Sequence, residues 1–367
     1  MPVRPPSAAA SAPRRRSRLR RMLSAGAAIA MLPSFAVVAV LGPTSPATAA
    51  PGTPGTPSAP TVLFQEDFQQ GAAITTLPTY ASSSGTTYTA DPFWLDTSAC
   101  NGFVVSSANV FPGGALCGGR ATEFASLTAK TSALGLLNTP QNSSTNRALA
   151  GATTTSGTPG RMLASSQIAL PSGSRFLTMS LDAAATGCGV SAPQLGMSLA
   201  NAAGVESAVN AGTLNPCTDT RHLTTTIGGD VVAYGRFVAN SSVLANGGTV
   251  GLVVRNQQGA GNGNDTALDN VRLLDVTPQL DIAFAPTTVT AGGTSTLTLT
   301  ITNTSELAAK NGWAFTDGLP AGLVIAPSPN LGGTCPATVT AGAGAGTLGV
   351  TAGRLAAGVT SCTITVA

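Results

Sequence analysis

The sequence predicts an all-β chain: an N-terminal jelly-roll sandwich followed by a smaller, Ig-like β-sandwich. Three observations carry that prediction. Strong helix formers are scarce, while 43 glycines, 25 prolines and many Thr, Ser and Val residues supply turns and extended backbone. Short apolar stretches alternate with polar positions at period two, the spacing of a strand with one buried face. Gly-, Asn- and Ser-rich segments separate those stretches, as turns do in sandwiches.

The chain opens on a different pattern. Arg4, Arg14, Arg15, Arg16, Arg18, Arg20 and Arg21 precede an apolar stretch from Met22 to about Leu41, and no acidic residue occurs in the first 50 positions. Gly42, Pro43 and the small-residue run Ala47-Thr48-Ala49 follow. A basic end, an apolar middle and an A-x-A site make a secretory signal, so residues 1–49 are expected to be removed after Ala49. The competing reading is a retained membrane anchor, which Pro33 and the A-x-A site oppose. Arg20-Arg21-Met22-Leu23 matches a twin-arginine signal only weakly, so the export route stays open. The expected location is secreted or cell-surface, with membrane contact only during export.

That leader also explains the formal charge of +3. Seven of the 18 basic residues lie in it, leaving 11 against 15 acidic ones, a mature charge near −4. A basic footprint for nucleic acid is therefore missing, and no nucleic-acid partner is expected.

Residues 50–60 read as a Pro/Gly/Thr/Ser linker with nothing to bury, and order is expected to begin near Thr61. Residues 61–277 read as the jelly-roll-like domain, with strands near 61–68, 102–105, 161–169, 176–183, 231–238, 250–256 and 267–276. In one of them Phe176, Thr178, Ser180 and Asp182 oppose Leu177, Met179 and Leu181. Residues 278–367 form the second domain. Its clearest strand spans 294–303, with Thr296, Thr298, Thr300 and Thr302 expected on the wet face and Leu297, Leu299 and Ile301 on the dry one. About 90 residues suffice for an Ig-like sandwich. Ending on an alternating strand at Ala367, the module reads as a fragment of a longer array.

Six cysteines behind an export signal predict disulfides, although six allow 15 connectivities. Domain boundaries and proximity favour Cys100–Cys117, Cys188–Cys217 and Cys335–Cys362. Zinc is disfavoured, because no C-x-x-C pair exists and His222 is the only histidine.

The second domain carries an ordered set of motifs: Phe284-Ala285-Pro286, Ala291-Gly292-Gly293-Thr294, Ile301-Thr302-Asn303-Thr304, Trp313-Ala314-Phe315-Thr316-Asp317, Leu319-Pro320-Ala321-Gly322-Leu323, Cys335 and Cys362. This set resembles a bacterial, notably actinobacterial, surface-protein repeat domain of unknown function, an Ig-like module found in tandem on secreted and wall-attached proteins. The resemblance implies a stalk or spacer and defines no catalytic residues. In the first domain, Leu63-Phe64-Gln65-Glu66-Asp67-Phe68 and Gly263 to Leu273 resemble the first and last strands of carbohydrate-binding-module or galactose-binding-like jelly rolls. There the two terminal strands lie side by side, and acids on them hold a structural calcium. The resemblance implies Glu66, Asp67 and Asp269 as its ligands, against the plainer reading that Asp269 and Asn270 satisfy a turn.

A glycan would stack on aromatic faces; Phe93, Trp94, Tyr80 and Tyr88 are the candidates, against the plainer reading that they are core. Catalysis is poorly supported. The single histidine has no G-x-S-x-G partner, and nothing brings Glu66, Glu123 or Glu206 together. Lys–Asn isopeptide bonds occur in some bacterial surface Ig-like modules, but only Lys130 and Lys310 exist here, and Lys310 reads as loop beside Asn311. The expected function is non-enzymatic and adhesin-like: a jelly-roll head on an Ig-like stalk, binding a glycan or a surface protein. The alternatives are a purely structural envelope protein and, third, a secreted hydrolase.

Overall fold

The computed structural model describes residues 53–138, 143–189, 191–261 and 263–367. The expected signal peptide, 1–49, lies outside them. Among the described residues no helix is long and apolar enough to cross a membrane. The architecture is all-β and antiparallel, as the composition predicts.

The first sandwich packs a nine-stranded sheet on a six-stranded one. The strand Ser174–Thr186 is central to the larger sheet and buried along most of its length. Its odd positions, Leu177, Met179, Leu181 and Ala183, point into the inter-sheet core, where Leu163, Met197, Leu199, Leu252 and Val254 meet them from the other sheet. Its even positions form the opposite face, as the alternation predicts. The strand Thr61–Glu66 pairs with Asp265–Asp275, Thr61 opposite Asp275 and Glu66 opposite Val271. The two terminal strands of the domain thus lie side by side.

Two features depart from the sequence reading. The helix Ala121–Gly135 was not anticipated. It covers one end of the larger sheet's outer face, burying Phe124, Leu127, Ala133 and Leu134 against Val105, Ala148, Ala150, Ala184, Val232 and Ala267. The predicted strand 161–169 divides into Gly160–Ser165 and Ile168–Ala169, both paired with Thr249–Asn256.

The second sandwich has sheets of four and three strands, the count of an immunoglobulin constant-type domain. Thr296–Thr302 sits between Gln279–Ala285 and Ser361–Val366. Leu297, Leu299 and Ile301 are buried as predicted, together with Trp313, Leu348, Val350 and Ile364. The Trp313 ring lies flat on Gly353, where a Cβ would come within 2.2 Å of the ring. Thr302 is a correction: it is buried, because its Oγ1 accepts the Gly55 N–H at 2.9 Å. The segment before Thr61 is therefore not idle. Ser58 bridges Thr304, and Ser58 O accepts the Ser305 N–H at 2.8 Å. Lys310 is a second correction: it opens the strand Lys310–Gly318 and is fully buried.

The outer face of the nine-stranded sheet joins the two sandwiches. Phe176, Leu274 and Val276 from it enter the core of the second sandwich beside Leu299 and Ile301. Ser241 bridges Ala309, and Ser242 Oγ donates to Ala309 O at 2.7 Å. The described residues from Thr53 to Ala367 accordingly form one compact unit. All six cysteines pair as the sequence favours: Cys100–Cys117, Cys188–Cys217 and Cys335–Cys362.

Candidate functional site

Glu66 ends the first strand with its side chain turned inward. Its Oε2 accepts the Tyr88 hydroxyl at 2.7 Å, while Oε1 accepts the Tyr80 hydroxyl at 3.0 Å and the Phe68 N–H at 2.8 Å. Phe68 packs between the two tyrosines, with centroids 5.4 and 6.0 Å away. Burial first, and then the Glu66 carboxylate, push both phenols far above the ordinary tyrosine range. Three separate sequence candidates, Glu66, Tyr80 and Tyr88, thus meet in one internal cage.

The aromatic set offers no shared open face. Tyr80, Tyr88 and Trp94 are all buried in the main core. Phe93 is half-buried, edge-on to Trp94 at 5.1 Å, with Gly157 against its ring. The short helical turn Pro92–Leu95 faces Trp94 inward, where an indole has most to gain from leaving water.

The carboxylates named for calcium divide as well. Glu66 turns into the tyrosine cage, and Asp269 lies on the opposite face of the sheet. Asp269 Oδ2 accepts the Asn146 amide at 3.0 Å, and Oδ1 accepts the Asn270 N–H at 2.7 Å. Asp67 is close enough to add repulsion to Asp269. Oxygens do converge nearby on the Gln69 amide: Nε2 donates to Asp67 O at 2.7 Å, Arg147 O at 3.0 Å and Asn146 Oδ1 at 3.1 Å. Among the described residues no three His, Cys, Asp or Glu side chains form a metal-holding group, so the carboxylate set implied for calcium does not fit as a unit.

Around Asp269 stands a charged row that sequence reading did not find. Asp182 lies directly opposite Asp269 on one neighbouring strand and opposite Arg236 on the other. Arg236 grips Asp182 bidentately, Nε to Oδ1 at 2.8 Å and Nη2 to Oδ2 at 2.9 Å. Asn270 Nδ2 adds a bond to Asp182 Oδ2 at 3.0 Å, and Arg272 approaches Oδ1 at 3.8 Å. Asn270 reaches that point because it sits at φ 47° where the pairing register shifts between Asp269 and Arg272. Two opposed carboxylates in a buried face repel. Arg236 and Asn270 hold the Asp182 charge, while burial and the neighbouring acids raise the Asp269 carboxyl well above its usual range. The chemistry available is proton holding on Asp269 beside a neutralised Asp182. The one legible signal was that Asp182 alternates with Leu181, on the face opposite to it.

The hydrolase candidates remain apart. Glu206 pairs with Arg255 at 2.7 Å, Glu123 lies on the helix, and Glu66 is in the cage. His222 Nδ1 is 2.6 Å from Asp219 O. A hollow of about 560 Å³ belongs to the second sandwich and is lined by Phe284, Pro286, Val289, Leu319, Leu323 and Val366. Aliphatic, aromatic, Gly and small hydroxyl residues make up its wall, so its recognition chemistry is apolar contact.

Fold and site together define an all-β, disulfide-stapled protein of two joined antiparallel sandwiches. Its second sandwich matches a family model: residues 278–367 match the family described as a domain of unknown function, DUF7933. The match begins at the boundary the motifs mark, Pro278. No curated protein matches the chain.

Proposed function

We propose that the chain is an exported, non-enzymatic protein of the cell surface or its surroundings, built for display and structural support rather than catalysis. The observation that carries this reading is the internal use of the chemically capable side chains. Glu66, Tyr80 and Tyr88 bind one another, Asp182 binds Arg236, and Trp94 fills the core. Three disulfides and a signal-like leader support the exported setting. In this reading the DUF7933 module is an Ig-like stalk, and the larger sandwich is a jelly-roll cap carried on it.

The second reading is adhesin-like, with the larger sandwich binding a glycan or a surface protein. Half-buried Phe93 favours it, as the one aromatic of the four with a partly open ring. Screening the full exported chain against glycan arrays and surface-protein panels separates the two. The structural reading expects no selective ligand. A selective ligand lost in Phe93→Ala, with unchanged folding, would replace it with the adhesin reading.

A further inference from the structure

Lys310 and its surroundings carry a chemical possibility that a plain salt bridge does not. Its Nζ is fully buried and donates to Asn303 Oδ1 at 2.5 Å, to Thr304 Oγ1 at 3.1 Å and to Glu306 Oε1. Asn303 is 1% exposed and the Glu306 side chain 2%. The Asn303 amide is clamped from both sides. Oδ1 also accepts the Thr304 N–H at 2.8 Å, and Nδ2 donates to Val359 O at 2.9 Å and Ala308 O at 3.3 Å. Glu306 Oε2 is buried without a hydrogen-bond partner.

We propose that Lys310 and Asn303 join through an intramolecular side-chain amide, with Glu306 as the proton-transfer group. Each requirement of that reaction has a residue. The nucleophile must be a free amine, and burial lowers the Lys310 pKa, favouring its neutral form. The electrophile must be held close and polarised. Nζ lies beside the Oδ1 that is bonded to the carbon under attack, and the Thr304 N–H steadies the charge developing on that oxygen. A base must accept and return protons, and Glu306 is in contact with Nζ with a second oxygen unengaged.

The step balances. Glu306 takes one proton from the ammonium, and Nζ attacks Asn303 Cγ to form a C–N bond. The Cγ–Nδ2 bond breaks, and a second Nζ proton passes through Glu306 to Nδ2, which leaves as ammonia. The third Nζ proton stays in the new amide. The proton first taken remains on Glu306 as a neutral acid, so no charge is left buried. No oxidant or co-reactant enters.

Lys130 shows the contrast. It is equally buried, but its Nζ meets the Ser126 and Thr186 hydroxyls at 2.8 and 3.4 Å and, among the described residues, no side-chain amide. The position of the link gives it a use. The loop from Asn303 to Lys310 carries contacts with the first sandwich: Ala309 N donates to Asn240 O at 3.0 Å, and Thr304 Oγ1 to Val276 O at 3.3 Å. An amide there closes covalently the loop that carries these contacts, independently of redox state.

The test is intact-mass and peptide mass spectrometry on the full, folded, non-reduced chain, referenced to its own observed N-terminus. The expected mass is one ammonia below the sequence mass with three disulfides, fragment spectra connect Asn303 to Lys310, and hydroxylamine does not reverse the deficit. Lys310→Arg and Glu306→Gln are expected at full mass, and Lys130→Arg with the deficit retained. Full mass in the folded parent protein overturns the proposal, whether or not the variants fold. So does a hydroxylamine-sensitive deficit, which marks a succinimide, or a deficit that persists in Lys310→Arg.

Discussion

At the scale of single residues, the energetics are governed by buried groups that must find partners. The Tyr88 hydroxyl is the donor to Glu66 Oε2. Tyr88→Phe leaves a buried carboxylate oxygen unpaired and is expected to cost about 1–3 kcal/mol. Urea denaturation of the variant beside the parent measures it, and an unchanged midpoint would contradict the cage. Asp269 acts with the opposite sign to most acids. Its folded pKa is raised above the unfolded value by burial, so the folded state holds the proton longer. Its contribution is greatest below about pH 4 and declines as pH rises from there through the folded pKa. Asp269→Asn is therefore expected to remove a negative slope of stability against pH over that interval. Parallel slopes in the two proteins would reject this.

Legibility in the sequence was partial at this scale. Alternation placed Asp182 outward and Leu181 inward, which the strand Ser174–Thr186 obeys. It could not supply partners. Glu66 reads as an oxygen ligand until Tyr80 and Tyr88 arrive from separate turns, and Asp269 needs Asn146, which lies 123 residues away. Lys310 read as loop beside Asn311; in the fold Gly312 takes φ 84° beside a register shift within the strand.

Among elements, strands with a clean period of two were readable, and the helix was not. Thr296–Thr302 alternates without exception, and only Thr302 departs from the expected wet face because Gly55 covers it. The helix Ala121–Gly135 carries Phe124, Leu127 and Leu134 at helical spacing, but Lys130 and Thr131 share its buried surface and interrupt the apolar stripe. Its packing is nonetheless ordinary core. Leu134→Ala is expected to destabilise the chain by about 2–5 kcal/mol, through lost burial and the cavity left behind. Thermal unfolding is the check; a change within error would mean that the helix is not integrated with the sheet.

For the whole molecule, the organisation matters more than any one site. The three disulfides are compatible with a chain that folds outside a reducing compartment. The family match covers residues 278–367, the span the motifs also mark. The joint was not legible in the sequence, since Phe176, Leu274 and Val276 read as residues of the first sandwich alone and Ser58 as linker. Their shared contacts make the described residues from Thr53 to Ala367 a single compact body.

The account's central claim is export to an oxidising setting for use at the surface. Fractionation of the native cells, with N-terminal and non-reducing peptide mapping of the protein recovered, tests it most directly. The account predicts protein in the surface or culture fraction, beginning at Ala50, with Cys100–Cys117, Cys188–Cys217 and Cys335–Cys362 all formed. Recovery from the cytosol with Met1 to Ala49 retained and free thiols would contradict it.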